Sequence, residues 1–330
     1  RIEEKPVPSA PGKGEALVRV EMAGICGSDL GRILHSGTYS FPTIPGHEFA
    51  GEIAAIDANE KGLKAGDRVA VAPILPCFQC DNCAKGDYGQ CDDYNYLGSR
   101  TDGGFAREGE GAVRELVPWP GWVAVRRAGL SDPGAVTLHG LGRRGSRAGD
   151  TIMVLGCGAI GLFAVSFARI LGATRIIAVD VDDRKLELAE KAGATLLSNS
   201  TREDACALYQ ADIVVETAGV AATQTGAIRG VRKNGQILYL GTAHHDVVLP
   251  PKVFERIVRN ELRITGSWNS FSAPFPGREW HAVVDYMGSR ALDMELFITH
   301  TIPLAELPGF LVVMDRRELC FNKVLVSMVE

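Results

Sequence analysis

Four cysteines crowd into fifteen residues: Cys77, Cys80 and Cys83 at intervals of three, then Cys91. Spacings of this kind are those of a metal clip. Four soft thiolates in tetrahedral reach would saturate a zinc ion and leave no position for substrate, so the reading is a structural zinc site. A redox dithiol is the competing reading. Elsewhere, Cys26 lies in Gly24-Ile25-Cys26-Gly27-Ser28-Asp29, and Gly46-His47-Glu48 follows about twenty residues later. A thiolate and an imidazole from two strand ends can form half of an open zinc site, which needs three protein ligands and a free position. Taken singly, a buried cysteine is usually core and a lone histidine a satisfied polar residue. Asp29 is placed to accept the second N–H of His47 and fix its tautomer. Glu48 is read as a metal ligand, a proton carrier or an outer acceptor.

A third constellation is Gly156-Cys157-Gly158-Ala159-Ile160-Gly161. The first glycine permits a tight turn, the second lets backbone approach a pyrophosphate, and the third lets helix and strand pack closely. The helix that opens there offers free N–H groups to phosphate. The next strand ends at Asp180, where a carboxylate can accept both ribose hydroxyls and would repel a 2′-phosphate, favouring NAD. Arg184 and Lys185 stand nearby, in what is otherwise a solvated first helical turn. Thr217, Ala218 and Gly241, which follow two further strands, complete the expected cofactor contacts.

The elements that must carry these residues fall into two kinds. Leu17–Ile25, Glu48–Ile56 and Ala65–Val71 are short apolar runs with β-branched residues and Gly/Pro punctuation, which read as a small barrel or sandwich. Residues 76–104 are loop-like, and 105–150 have few clean periodic stretches. From Thr151 strands alternate with helices, at 151–155, 175–180, 211–219, 235–241 and 262–267, which means a doubly wound parallel sheet. A Trp/Pro-rich loop follows residue 268, then a helix near 278–288 and a last strand at 323–327.

Composition is ordinary for a globular chain of 330 residues: 46% hydrophobic, 23% charged, with 38 glycines that announce many turns. The net charge is -5 and no basic stripe is present, which disfavours nucleic acid as a partner. No apolar run is long enough to span a membrane, and no signal peptide is read. Clip-spaced cysteines fit a reducing, cytoplasmic compartment.

Taken in order, GICGSD, IPGHEFAGEI, AGDRV, the four-cysteine lobe and GCGAIG resemble the zinc-dependent medium-chain alcohol dehydrogenases, over nearly the whole chain. The stretches LPCFQCDNC, YLGSRTDGGFA and GSWNSFSAPFPGREW are most similar to the polyol dehydrogenase branch. The resemblance implies an α/β protein: a GroES-like β-rich catalytic domain, split in sequence over 1–136 and 267–330, and a Rossmann NAD-binding domain over 137–266. It implies two zinc ions per subunit, NAD, and a homodimer or homotetramer. It also implies oxidation of a secondary alcohol of a polyol or polyol phosphate, galactitol-1-phosphate-like, to the ketone. Sorbitol/iditol-, threonine-, butanediol- and aminocyclitol-type dehydrogenases, or an inactive NAD-binding relative, are the alternatives. Ser28 is expected to take up the substrate proton, with Gly31 standing where many relatives extend the relay through a histidine. His35 is a further candidate. Trp268, Asn269, Ser270, Arg278 and Trp280 are candidates for substrate contact, or else belong to a hinge or interface loop.

One stretch departs from the family. Relatives carry a Glu-Pro ahead of a Leu-His, and in the polyol group that glutamate is a zinc ligand. This chain reads Ser131-Asp132-Pro133-Gly134-Ala135-Val136-Thr137-Leu138-His139. Either Asp132 replaces the glutamate with a shorter carboxylate, or the segment has no counterpart here. A carboxylate from 131–138 is preferred to Glu48 as the third ligand.

Overall fold

The computed structural model describes residues 2–6, 10–143, 145, 147–243 and 245–329. It divides into two compact units. The first comprises residues 1–132, 270–290 and 298–330; the second comprises 133–269 and 291–297.

The first unit is built on β1 (Glu15–Gly24), β2 (Glu48–Ile56), β3 (Arg68–Val71), β4 (Ile74–Leu75), β5 (Asn95–Tyr96), β6 (Glu108–Ala112) and β7 (Leu116–Pro118). The second contributes β8 (Thr151–Leu155), β9 (Arg175–Asp180), β10 (Leu196–Asn199), β11 (Ala211–Glu216), β12 (Val231–Tyr239) and β13 (Arg263–Gly266). The chain then returns to the first unit for β14 (Ile298–Pro303) and β15 (Lys323–Ser327). Five helices matter below: α1 (Gly27–Gly31), α2 (Asp81–Ala84), α3 (Ser131–Gly142), α4 (Ala159–Ile170) and α5 (Asp183–Ala192).

In the first unit β14-β15-β1-β2-β3-β7 form one sheet, with β6 also paired to β1. The apolar runs of β1 and β2 face a common core, in which Val18, Val20, Phe49, Ile53, Val69 and Val71 are all buried. The register Gly24↔Glu48 between β1 and β2 brings the end of one strand beside the start of the other. A second register, Gly24↔Leu325, lays β15 along the other side of β1. The stretch that follows β1 thus meets residues from two distant parts of the chain. β4 and β5 pair separately, Ile74 opposite Tyr96.

In the second unit the strands lie in the order β10-β9-β8-β11-β12-β13, all parallel. Counted within the unit, this is 3-2-1-4-5-6, the dinucleotide-binding order of the Rossmann fold. Its central strands β8 and β11 are buried along most of their length, the pattern of a parallel sheet covered on both faces. Met153, Leu155, Ile177, Val214 and Ile237 form its core. The sequence reading placed β12 at 235–241. It starts earlier, at Val231, because the chain passes through Asn234 at φ +57 and resumes the ladder. Residues 105–150, which had no clear period, hold two short strands, 3-10 turns and α3. In the first strand there, glycines alternate with glutamates, so apolar periodicity is missing even though the strand is paired.

Candidate zinc and dinucleotide sites

Cys26 caps α1 immediately after β1, and its N–H donates to Asp29 Oδ2 at 2.9 Å. The strand register carries His47 and Glu48 to the same place. One ligand atom from each of Cys26, His47 and Glu48 lies within 4.8 Å of the other two. A thiolate, an imidazole and a carboxylate, clustered and two of them buried, are the donor set of an open zinc site. Asp29 is fully buried, and its Oδ1 stands 3.3 Å from His47 Nδ1. This leaves the other ring nitrogen of His47 for a metal.

Asp132 opens the first turn of α3 and is buried, with Oδ1 lacking a hydrogen-bond partner. Burial, opposed by His47 and assisted by Glu48, pushes its carboxyl up to about 7. It stands outside the set formed by Cys26, His47 and Glu48. The Gly24↔Glu48 register brings Glu48 to the end of β1, next to Cys26.

Two residues of this site escaped sequence reasoning. Lys323, the first residue of β15, is 3% exposed, and its Nζ donates to Glu48 Oε2 at 2.6 Å and to the carbonyl of Ile25 at 3.0 Å. A charged residue heading the apolar strand KVLVS was the available signal. Tyr96 is buried with its ring 5.7 Å from that of His47. Ser28 Oγ accepts from Arg32 Nη1 at 3.1 Å. His35 is exposed and bonds Asp315 at 2.8 Å. Among the substrate-loop candidates, Trp280 is wholly buried in the first unit and stacks on Phe271. Ser270 is also buried, whereas Trp268 and Arg278 are exposed.

In the cysteine lobe, one Sγ from each of Cys77, Cys80, Cys83 and Cys91 lies within 4.8 Å of the others. The Cys77–Cys83 and Cys80–Cys91 separations are both 4.0 Å. Zn–S bonds of about 2.3 Å in a tetrahedron place sulfurs about 3.8 Å apart, so the four residues fit the ion. Backbone N–H groups, that of Asp92 foremost, bring the Cys80 thiol down to about 7, while burial pushes Cys83 up to about 12.

In the second unit Gly156 adopts φ +97, and a side chain at Gly161 would meet the Gly156 carbonyl at 1.9 Å. Both positions therefore require glycine. Gly158 caps α4, whose first residues are Ala159 and Ile160. Asp180 closes β9, with Oδ2 accepting from Cys157 N at 2.7 Å and Oδ1 from Val181 N and Asp182 N. Arg184 is held by Asp182 at 2.7 Å. Thr217 Oγ1 donates to the Gly156 carbonyl at 2.8 Å, fastening the end of β11 to the glycine turn. Glu216, also unforeseen, is wholly buried and shapes the next turn: its Oε1 accepts from Ala218 N, Gly219 N and Thr223 Oγ1. Gly241 N donates to the Glu216 carbonyl at 3.1 Å.

Comparisons with known proteins agree with this architecture. Residues 12–121 match the alcohol dehydrogenase GroES-like domain, and residues 159–291 match the zinc-binding dehydrogenase model. Galactitol 1-phosphate 5-dehydrogenase of Escherichia coli K12 is 34% identical over 91% of this chain and 89% of its own. Erythritol/L-threitol dehydrogenase of Mycolicibacterium smegmatis is 32% identical over 93% of this chain and 88% of its own. The crystal structure of galactitol-1-phosphate dehydrogenase from Escherichia coli superposes with a TM-score of 0.93 at 33% identity, covering 99% of this chain and 96% of that one. The chain belongs to the zinc-dependent alcohol dehydrogenase family. Within it, the chain is an NAD-linked oxidoreductase of the polyol and alcohol dehydrogenase type, with a GroES-like unit and a Rossmann unit.

Proposed function

We propose that this enzyme oxidises a secondary alcohol of a polyol phosphate, galactitol-1-phosphate-like, to the ketone, with Cys26, His47 and Glu48 as ligands of its catalytic zinc. The clustering of those three donors is the observation that carries the reading. When bound, zinc supplies Lewis-acid polarisation of an alcohol oxygen. The chain's own residues do the rest. Asp29 fixes the His47 ring, and the buried Lys323 balances the Glu48 charge. Arg32 occupies a lone pair of Ser28 Oγ and orients the hydroxyl, which is the first stop for the substrate proton. Asp180 is the acceptor for the ribose hydroxyls. Its charge disfavours a 2′-phosphate, so NAD is the preferred dinucleotide. Cys77, Cys80, Cys83 and Cys91 hold the second, structural zinc. Thiolate ligands at both sites fit a reducing, cytoplasmic environment.

The subunits associate through the Rossmann unit as a homodimer or homotetramer. β13 is paired on one side only, and Ile264 is 41% exposed on it. Such an edge is a template for a second copy of the same strand. A free polyol is the second reading for substrate, favoured by the erythritol/L-threitol relative.

A panel of phosphorylated and free polyols, assayed for NADH and NADPH formation, tests the reading. The expected result is highest kcat/KM with a polyol 1-phosphate and NAD, and a weaker NAD preference in Asp180→Ser. A preference for NADP in the wild type contradicts the role given to Asp180.

A further inference from the structure

The Arg100 guanidinium lies against two tyrosine rings: its Cζ is 4.4 Å from the Tyr39 ring centre and 4.6 Å from that of Tyr94. Among the described residues no carboxylate pairs with it. Stacking of this kind fixes a guanidinium plane without consuming its N–H donors. A guanidinium presents its N–H donors in the planar fork that matches phosphate or carboxylate oxygens. Arg100 lines an open depression of about 540 Å³ that borders the four-cysteine lobe at Cys77, together with Tyr39, Ser40, Gln79, Asn95 and Asp93. Ser40, Gln79 and Asn95 add neutral hydrogen-bonding groups, while Asp93 places one negative charge at the wall.

The clamp is anchored to the catalytic unit at several points. Arg100 N donates to the Tyr96 carbonyl at 2.9 Å, and Tyr39 N to the Ser99 carbonyl at 3.4 Å. Tyr94 stands edge-on to Tyr96 at 6.4 Å, and Tyr96 faces His47. Ring contacts thus run from Tyr94 through the buried Tyr96 to His47, all within one unit.

We infer that Arg100, clamped by Tyr39 and Tyr94, binds a phosphate monoester and sets selectivity for the phosphorylated end of the substrate. This rests on the polyol-phosphate reading above. The ligand chemistry, a phosphate dianion, could also be met by free inorganic phosphate, and the test separates the two.

Oxidation of a hexitol 1-phosphate and of the free hexitol is compared for wild type, Arg100→Gln and Arg100→Lys. Calorimetric titration with inorganic phosphate runs alongside, and zinc content and thermal midpoint verify that each variant is folded. The expected result is a roughly 10- to 100-fold fall in the phosphorylated-to-free ratio of kcat/KM for Arg100→Gln, mainly through KM, the loss expected for hydrogen bonds to a charged group. Arg100→Lys keeps charge but not the planar fork, so it recovers only part. If the ratio holds but phosphate binding is lost, the anion site stands and its ligand is free phosphate. If neither changes, the inference is overturned. A wild type that does not favour the phosphorylated hexitol refutes the polyol-phosphate reading instead, and the phosphate titration then decides the Arg100 site by itself.

Discussion

Lys323 and Glu48 form a buried ion pair at 2.6 Å, with both side chains under 5% exposed. Taking two charges out of water is expensive, and the cost is recovered only while each has its partner. The pair also explains how a carboxylate can stand beside a thiolate and near two further acids, Asp29 and Asp132. Lys323→Met should therefore destabilise the protein by about 3–5 kcal/mol, the usual result of removing one partner of a buried pair. Lys323→Met combined with Glu48→Gln should recover part of that loss, because no charge is then stranded. Urea unfolding of the four species in a double-mutant cycle measures the coupling. Additive effects would show that the two residues do not support each other.

At the scale of elements, β1 and β2 were legible as short apolar runs with β-branched residues between Gly/Pro punctuation, and the glycine turn before α4 from its three glycines, two of which, Gly156 and Gly161, stand where only glycine fits. The strand register that unites Cys26 with His47 and Glu48 was not legible, because pairing is set by tertiary contacts rather than by local pattern. Lys323 was missed for the same reason: it lies 275 residues from Glu48. Trp280 stood open in the sequence between a substrate contact and a hinge or interface loop because an indole suits either; in the fold it is wholly buried.

The stretch 108–118 was opaque for another reason. Its glycine-glutamate alternation hides a paired strand, and the turn after it buries Glu115 completely. Glu115 Oε2 accepts from Ala112 N at 2.8 Å, but Oε1 has no partner, and burial raises the carboxyl well above its ordinary value. The folded state holds this proton more tightly than the unfolded chain. Stability from this group is therefore present at low pH and is lost as pH rises from the ordinary carboxylate range towards the raised value. Glu115→Gln, which keeps an acceptor without a charge, should raise Tm relative to wild type more at pH 8 than at pH 5. A gap that does not grow with pH contradicts this account of the turn.

At the scale of the whole molecule, the two units divide the labour. The GroES-like unit gathers soft and imidazole ligands through β1, β2 and β15, and holds a separate closed cluster of thiolates. The Rossmann unit presents a glycine turn and Asp180 at the carboxyl ends of parallel strands, where such sheets bind dinucleotides. The central claim is that Cys26, His47 and Glu48 hold a zinc ion distinct from that of the four cysteines. Metal analysis of the purified wild type and of Cys26→Ser tests it most directly. The account predicts two zinc ions per chain in the wild type, and one in a folded but inactive Cys26→Ser. One zinc per chain in a fully active wild type, or two retained in Cys26→Ser, would contradict it.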